Sequence, residues 1–321
     1  MKKSLVTSGL AAGLLLPLPA LSQQYPVKPI RTIMTAAGGV ETACRALSQK
    51  LSESLGQPVI VDPQSAAGGA VGASAVARAA PDGYTLAFAT TSPMVLRPFL
   101  MKNTPYDTLR DFTPITQVGE AVASVVSSVS LPVNSLKEMI EYARANPGKV
   151  SFGTSGIGTT HHLSGNLIMQ ATGVKMVHVP YKSGGQAIQD LVGGRIQLLF
   201  GVMASSLPHI QSGKARLLAI NGGSRYSRTP NIPTVSEVIP GYDRPPGWMA
   251  YFGPAGLPQP IVKRLHTEIV KAMHHPEVSA VFEKLGLVVE TSESPEQFAA
   301  AVKKHYDRAG ALVKAAGIEP E

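Results

Sequence analysis

From Ile30 onward, short apolar runs alternate with amphipathic stretches, and this alternation constrains the fold more than any other feature. Ile30–Met34 is apolar and strand-like, residues 42–55 read as a helix, and 59–61 as a short strand. Residues 69–80 are Ala-rich and helical, and 84–90 return to a strand. Strand-like runs recur at 122–128, Val150–Thr154, 176–179, 196–200 and Ala215–Ile220. Helices fit between them, with Gly173, Gly193, Gly194 and Gly213 at their ends. Ser135 to Glu138 forms a capping box, followed by Leu136, Met139, Ile140 and Ala143 on one helical face. Residues 260–274 read as a helix that turns Val262, Leu265, Ile269 and Met273 inward. Ser294-Pro295-Glu296-Gln297 opens the last helix, whose apolar side carries Phe298, Val302, Ala309 and Leu312. Such alternation predicts an α/β protein with parallel sheets and crossover helices.

Two stretches interrupt the pattern and read as crossings between lobes. One lies near residues 117–123, and the other is the Pro- and Gly-rich stretch 230–247. The expected division is a discontinuous first lobe, 24–120 plus 247–321, and a second lobe, 121–246. Two connecting strands of this kind allow closure about a hinge around a ligand in an interlobe cleft.

The start of the chain reads as a secretory signal peptide covering residues 1–22. Lys2 and Lys3 precede an apolar run from Leu10 to Leu16, no charge follows until Lys28, and Ala20-Leu21-Ser22 is a small-x-small cleavage site. The run is shorter than the roughly 20 residues a membrane span needs. Cys44 is the single cysteine, so no intramolecular disulfide forms, and large cores must stabilise an exported chain. The expected location is the periplasm. The net charge of +8 falls by two, to +6, once Lys2 and Lys3 are removed. A positive surface serves solubility and also concentrates anionic solutes. Lys and Arg are scattered without a basic stripe or interleaved aromatics, which argues against a nucleic-acid partner.

Three loops join a strand to a helix and carry polar chemistry. The first is Ala36-Ala37-Gly38-Gly39-Val40-Glu41-Thr42. Its glycines let backbone N–H groups turn toward a carboxylate or phosphate, and a helix start adds positive potential; a tight turn would use the same residues. The second is Thr154-Ser155-Gly156-Ile157-Gly158-Thr159-Thr160-His161-His162, with hydroxyls at an expected N-cap. Two such loops, one in each lobe, suit the two ends of a dianion. The third, from Val179 to Gln186, offers Tyr181 to the cleft, and Lys182 reads as a solvated side chain before a ligand contact. Trp248, in the strand-like 247–252, faces either the cleft or a core.

Catalytic alternatives find little support. Gly153 to Gly158 is one residue out of register for a nucleophile elbow, and no P-loop lysine is present. His161 stands where a dinucleotide fingerprint needs its third glycine. Adjacent His161 and His162, like His274 and His275, diverge on a helix and make no chelate pair. Cys44, near a helix start, is either a thiol of lowered pKa or a small residue packed on the sheet. No cofactor and no metal are expected, and the chain is not read as an enzyme.

The chain resembles the Bug-type, TctC-like substrate-binding proteins of tripartite tricarboxylate transporters. The resemblance runs from Tyr25-Pro26-Val27-Lys28-Pro29-Ile30 through Gly38-Gly39, Ala67-Gly68-Gly69 with Gly72, and Ala80-Pro81-Asp82-Gly83-Tyr84-Thr85-Leu86. It continues through 155–163, His178-Val179-Pro180-Tyr181-Lys182, Leu207-Pro208-His209-Ile210, Ile232-Pro233-Thr234-Val235 and Pro254-Ala255-Gly256. It implies a two-lobed periplasmic-binding-protein fold that closes on a small carboxylate, a di- or tricarboxylate or an aromatic one. It also implies delivery to a two-subunit inner-membrane permease. Carried over by position, the binding residues are Ala37, Gly38 and Gly39, then Ser155, Gly158, Thr159 and Thr160; Val40, Glu41, Thr42, His161 and Tyr181 complete the expected set. Many relatives carry an Asp shortly after the first glycines, where Glu41 and Thr42 stand, and another where Gly201 stands. Without those acids, an ammonium-bearing ligand is disfavoured. Two further readings remain: a receptor read by a membrane sensor kinase, and a secreted enzyme on the same fold.

Overall fold

The structure, a computed structural model, describes residues 25–36 and 39–320. The expected signal peptide and the loop residues Ala37 and Gly38 lie outside the described residues. The chain runs through β1 (Ile30–Met34), α1 (Gly39–Leu55), β2 (Val59–Pro63), a 3-10 turn (Ala66–Gly69), α2 (Ala70–Ala77) and β3 (Thr85–Thr90). A π turn (Ser92–Leu96) leads into the short α3 (Arg97–Leu100) and then β4 (Phe112–Ala121). A second sheet begins with β5 (Ala123–Ser128), followed by α4 (Leu136–Ala145), β6 (Val150–Thr154), α5 (Thr160–Thr172) and β7 (Met176–Pro180). It continues with α6 (Gly184–Val192), β8 (Leu198–Val202), α7 (Met203–Gln211), β9 (Ala215–Ile220) and the short α8 (Val235–Val238). The chain then returns through β10 (Trp248–Pro254), α9 (Gln259–Met273), α10 (Pro276–Lys284), β11 (Leu287–Val289) and α11 (Pro295–Ala315).

Two sheets result, ordered β11-β4-β10-β3-β1-β2 and β7-β6-β8-β5-β9. They are mixed, which corrects the expectation of parallel sheets. β1 pairs in parallel with β2 and β3, and β6 with β7 and β8. β10 is antiparallel to β3 and β4, and β5 to β8 and β9. β11 is antiparallel to β4 as well, and β5 and β10 are the first strands after the two crossings. β4 runs into β5 through Val122 alone, and β5 then leads through α4 to an antiparallel β6, so a helix between two strands does not by itself make them parallel.

β10 reads Trp-Met-Ala-Tyr-Phe-Gly-Pro and is buried along its whole length, as a strand covered on both faces should be. One face of the first sheet packs Met34, Phe88 and Tyr251 against Leu47 and Leu51 of α1 and Ile269 and Phe282 of α9 and α10. The opposite face packs Phe252 against Phe298 and Val302 of α11, and this core continues to Phe152, Leu163 and Phe200 of the second sheet. Fully burying one such side chain stabilises the fold by about 1.5–3 kcal/mol. A third core, with Ile188, Leu191 and Leu199, lies beneath α6.

Both capping boxes form: Ser135 Oγ accepts from Glu138 N–H at 3.1 Å and Ser294 Oγ from Gln297 N–H at 3.1 Å. Several elements escape sequence reading. Pro114 and Gly119 disguise β4, where two register shifts against β10 absorb the irregularity. Pro93 and Pro98 disguise the helical stretch 92–100. α1 begins at Gly39, three residues earlier than expected. Cys44 is buried on the sheet, where burial pushes its thiol up to about 12, so it is a packed core residue.

Candidate functional site

A cavity of about 650 Å³ opens between the two sheets, within the range that small-molecule sites occupy. The starts of α1, α5 and α6 all reach it: Gly39 and Val40, then Thr159, Thr160 and His161, then Gly184 and Gly185. α1 comes from the first sheet; α5 and α6 come from the second. The first N–H groups of a helix have no intrahelical acceptor and carry positive partial charge. The cavity therefore receives such donors from both sides.

The second loop is built by Thr159, the N-cap of α5. Its hydroxyl accepts from His162 N–H at 3.2 Å and donates to Gly156 O at 2.9 Å. Both capacities are used inside the loop, so Thr159 shapes the site while the N–H groups of Thr160 and His161 stay available at the helix end. Gly156 and Gly158, at φ +125° and +74°, take conformations that a side chain would strain. The Thr160 hydroxyl makes no hydrogen bond among the described residues. Ser155 Oγ lies 3.5 Å from His161 Nδ1, and burial lowers that imidazole to about 4. His161 is therefore neutral at pH 7.

A polar relay supports α5 from behind. The Tyr242 hydroxyl donates to Asn221 Oδ1 at 3.1 Å, Asn221 Nδ2 donates to Ser164 Oγ at 2.7 Å, and Ser164 Oγ donates to Thr160 O at 2.7 Å. It ties the first turn of α5 to the end of β9 and to the returning crossing. His178 packs behind the same loop, with Nε2 2.7 Å from Thr154 Oγ1 and its ring stacked on His162 at 3.9 Å between centroids. Burial, aided by His162, lowers His178 to about 4.

The floor is formed where the chain crosses. Val122 N–H donates to Gly286 O at 3.1 Å, and Met203 N–H donates to Val122 O at 2.7 Å. Glu120 of the outgoing crossing and Arg244 of the returning one form an ion pair, with 20% and 24% of their side chains exposed. Burial raises the Glu120 carboxyl and Arg244 opposes that rise. A second cavity of about 440 Å³, lined in part by Asp243, Glu290, His305 and Arg308, lies against the same pair. Trp248 is buried against Phe252 and Phe298, its Nε1–H donates to His305 Nδ1 at 3.1 Å, and it also borders the cleft floor.

Of the residues singled out from sequence, Gly39, Val40, Ser155, Gly158, Thr159, Thr160 and His161 line the cavity together. Glu41, Thr42 and Tyr181 do not. Because α1 starts at Gly39, Glu41 and Thr42 belong to its first turn: Glu41 pairs with Arg45 at 2.7 Å and Thr42 is exposed. Tyr181 packs beside Gly153 and its hydroxyl donates to Asp190 Oδ2 at 2.9 Å. Lys182 is exposed on the cavity rim. Sequence reading missed Arg97, Asn221 and Arg244 on the lining. Each lies in an irregular or proline-flanked stretch with no motif to mark it. Among the described residues, no His, Cys, Asp or Glu group could hold a metal ion, and no helix is long and apolar enough to cross a membrane.

Residues 43–318 match the family described as the tripartite tricarboxylate transporter family receptor, TctC. Protein BugT of Bordetella pertussis is 32% identical over 319 residues, which cover 98% of this chain and 95% of BugT. The structure of periplasmic binding protein BugD is similar at TM-score 0.81 and 30% identity, over 92% of this chain and 100% of that one. The structure of R. palustris Rpa4515 with adipate is similar at TM-score 0.84 and 29% identity, over 92% and 100% of the two chains. The fold is that of a two-lobed periplasmic binding protein, and the chain belongs to the tripartite tricarboxylate transporter receptor (TctC) family.

Proposed function

We propose that this protein is an exported receptor that captures a small carboxylate in the periplasm and delivers it to a two-subunit inner-membrane permease. The observation that carries this reading is the meeting of α1 from one sheet with α5 and α6 from the other at a single cavity. Helix starts on opposite walls suit a carboxylate held by backbone N–H groups. Adipate in the related Rpa4515 structure agrees with it. In this reading Gly39 and Val40 hold the ligand from one side, and Ser155, Thr160 and His161 hold it from the other. The lobes are 24–120 plus 247–321, and 121–246, hinged where Glu120 meets Arg244. The continuity of β4 with β5 through Val122 supports that division. The family description, a receptor, supports binding without turnover.

A thermal-shift and calorimetric panel of mono-, di- and tricarboxylates, with their amides as neutral partners, tests this reading on the chain lacking residues 1–22. A ligand at 100 times its dissociation constant stabilises the folded form by about 2.7 kcal/mol. Carboxylates should bind and their amides should not. Tight binding of a neutral sugar, with no response to any carboxylate, would overturn it.

A further inference from the structure

The cavity lining carries three cationic side chains: Arg97, Lys182 and Arg244. Arg244 is neutralised by Glu120, and Lys182 is exposed on the rim. Arg97 is half-buried and has no carboxylate within ion-pair distance among the described residues. A guanidinium offers five N–H donors. Here Nη1 donates to Ala67 O at 2.8 Å, while Nε is shielded from solvent and has no partner. Nε is out of a ligand's reach as it is out of the solvent's, so the donors left for a counter-group in the cavity are those of Nη2, for which no partner stands among the described residues.

The segment that holds Arg97 is itself strained. Ala67 has φ +51°, the one positive value outside glycine among the described residues, and Gly68 and Gly69 follow at +64° and +92°. A left-handed non-glycine residue persists only where its surroundings hold it there. The turn aims the Ala67 carbonyl at the guanidinium and leaves Gly68 flush against it: a Cβ on Gly68 would sit 3.6 Å from Arg97 Nη1. Arg97 also follows directly on the π turn, an irregularity frequent at functional sites.

Position fixes what the cation can reach. Leu100, one helical turn beyond Arg97, meets the α5 loop, where a Cβ on Gly158 would lie 3.4 Å from Leu100 Cδ1. Arg97 itself is held by Ala67, between β2 and α2, and so belongs to the first-sheet wall of the cavity. Leu100, Met101, Ile157 and Ile318 give the lining an apolar portion. Glu319, the remaining acid on the lining, is exposed and has no ion-pair partner among the described residues.

We propose that Arg97 is the specificity-determining residue for a second acidic group, so that the preferred ligands are aliphatic dicarboxylates with an apolar spacer. This rests on the carboxylate reading above and goes beyond it by assigning the second charge. One carboxylate sits at the α1 and α5 starts, the spacer lies along Leu100 and Ile157, and the far carboxylate pairs with the Arg97 guanidinium.

Calorimetric titrations with succinate, adipate, suberate, adipamate and hexanoate test this on the parent, Arg97→Gln and Arg97→Lys chains, each checked by its melting temperature. The parent should bind its best diacid at least tenfold more tightly than adipamate or hexanoate. Arg97→Gln should bring the diacid down to the level of hexanoate while leaving hexanoate unchanged, and Arg97→Lys should fall between. A diacid preference that survives in both Arg97 variants overturns the assignment and leaves the carboxylate reading intact. Equal binding of diacids and hexanoate by the parent does the same. A parent that binds none of the five overturns the assignment, and the carboxylate reading falls with it only when the wider panel of mono-, di- and tricarboxylates also fails to bind.

Discussion

Arg244 and Glu120 pair across the two segments by which the chain passes between its sheets, and together they close the floor of the cleft. The pair fixes the crossings against each other and withdraws one cation from the cavity. Glu120→Gln leaves the Arg244 charge half-buried and uncompensated, which should cost about 1–3 kcal/mol of stability. Replacing both residues by Met should cost less than the sum of the single changes. Urea unfolding of the two single variants and the pair, read as a double-mutant cycle, measures the coupling.

Thr159 and Thr160 are neighbours with different work, and their variants should separate. Thr159→Ala removes the N-cap of α5 and should lower stability by about 0.5–2 kcal/mol, with weaker binding as a consequence of a frayed helix start. Thr159→Ser should restore both. Thr160→Ala removes a hydroxyl that makes no internal hydrogen bond, so it should weaken ligand affinity at nearly unchanged stability. Melting curves and titration calorimetry on the three variants check the split.

Acid should destabilise the layer built on the second sheet. Burial holds His161 and His178 at about 4 in the fold, while an unfolded histidine titrates near 6.5. Between those values the unfolded chain binds more protons, so stability falls as pH drops through this window and is fully present above it. His178→Phe keeps an aromatic ring against Phe152 and His162 and removes one of the two groups. Its melting temperature should fall less steeply than the parent's between pH 7 and 4.5 in scanning calorimetry.

Gly69 has no room for a side chain. A Cβ there would lie 2.5 Å from Thr35 O, at φ +92°. Gly69→Ala should destabilise the fold by more than about 1 kcal/mol and should loosen the turn that places the Ala67 carbonyl on Arg97. Urea denaturation measures the loss.

The regular parts of this fold were legible because periodicity and caps act locally. Ile30–Met34, Val150–Thr154 and Ala215–Ile220 match their strands end for end, and Ser135 and Ser294 cap as their sequences require. The Gly/Ser/Thr loops were legible for the same reason, since a strand end, a glycine and an N-cap mark a helix start. What was illegible depends on distant parts of the chain. The direction of β5 and β10 follows from where the chain crosses between sheets, which no local pattern records. Arg97 reaches the cavity through a π turn between two prolines and is held by a carbonyl 30 residues away in sequence. Tyr181 was expected at the cleft, but its hydroxyl turns to Asp190 on α6, a partner that the loop sequence does not mark.

The central claim is that a carboxylate is held between helix starts contributed by opposite sheets. A crystal structure of the chain with the tightest-binding carboxylate of the panel tests it most directly. The account predicts carboxylate oxygens at about 2.7–3.2 Å from backbone N–H groups at Thr160 or His161 on one side and at Gly39 or Val40 on the other. A carboxylate seated in the second cavity beside Asp243 and His305, or held by one sheet alone, would contradict it.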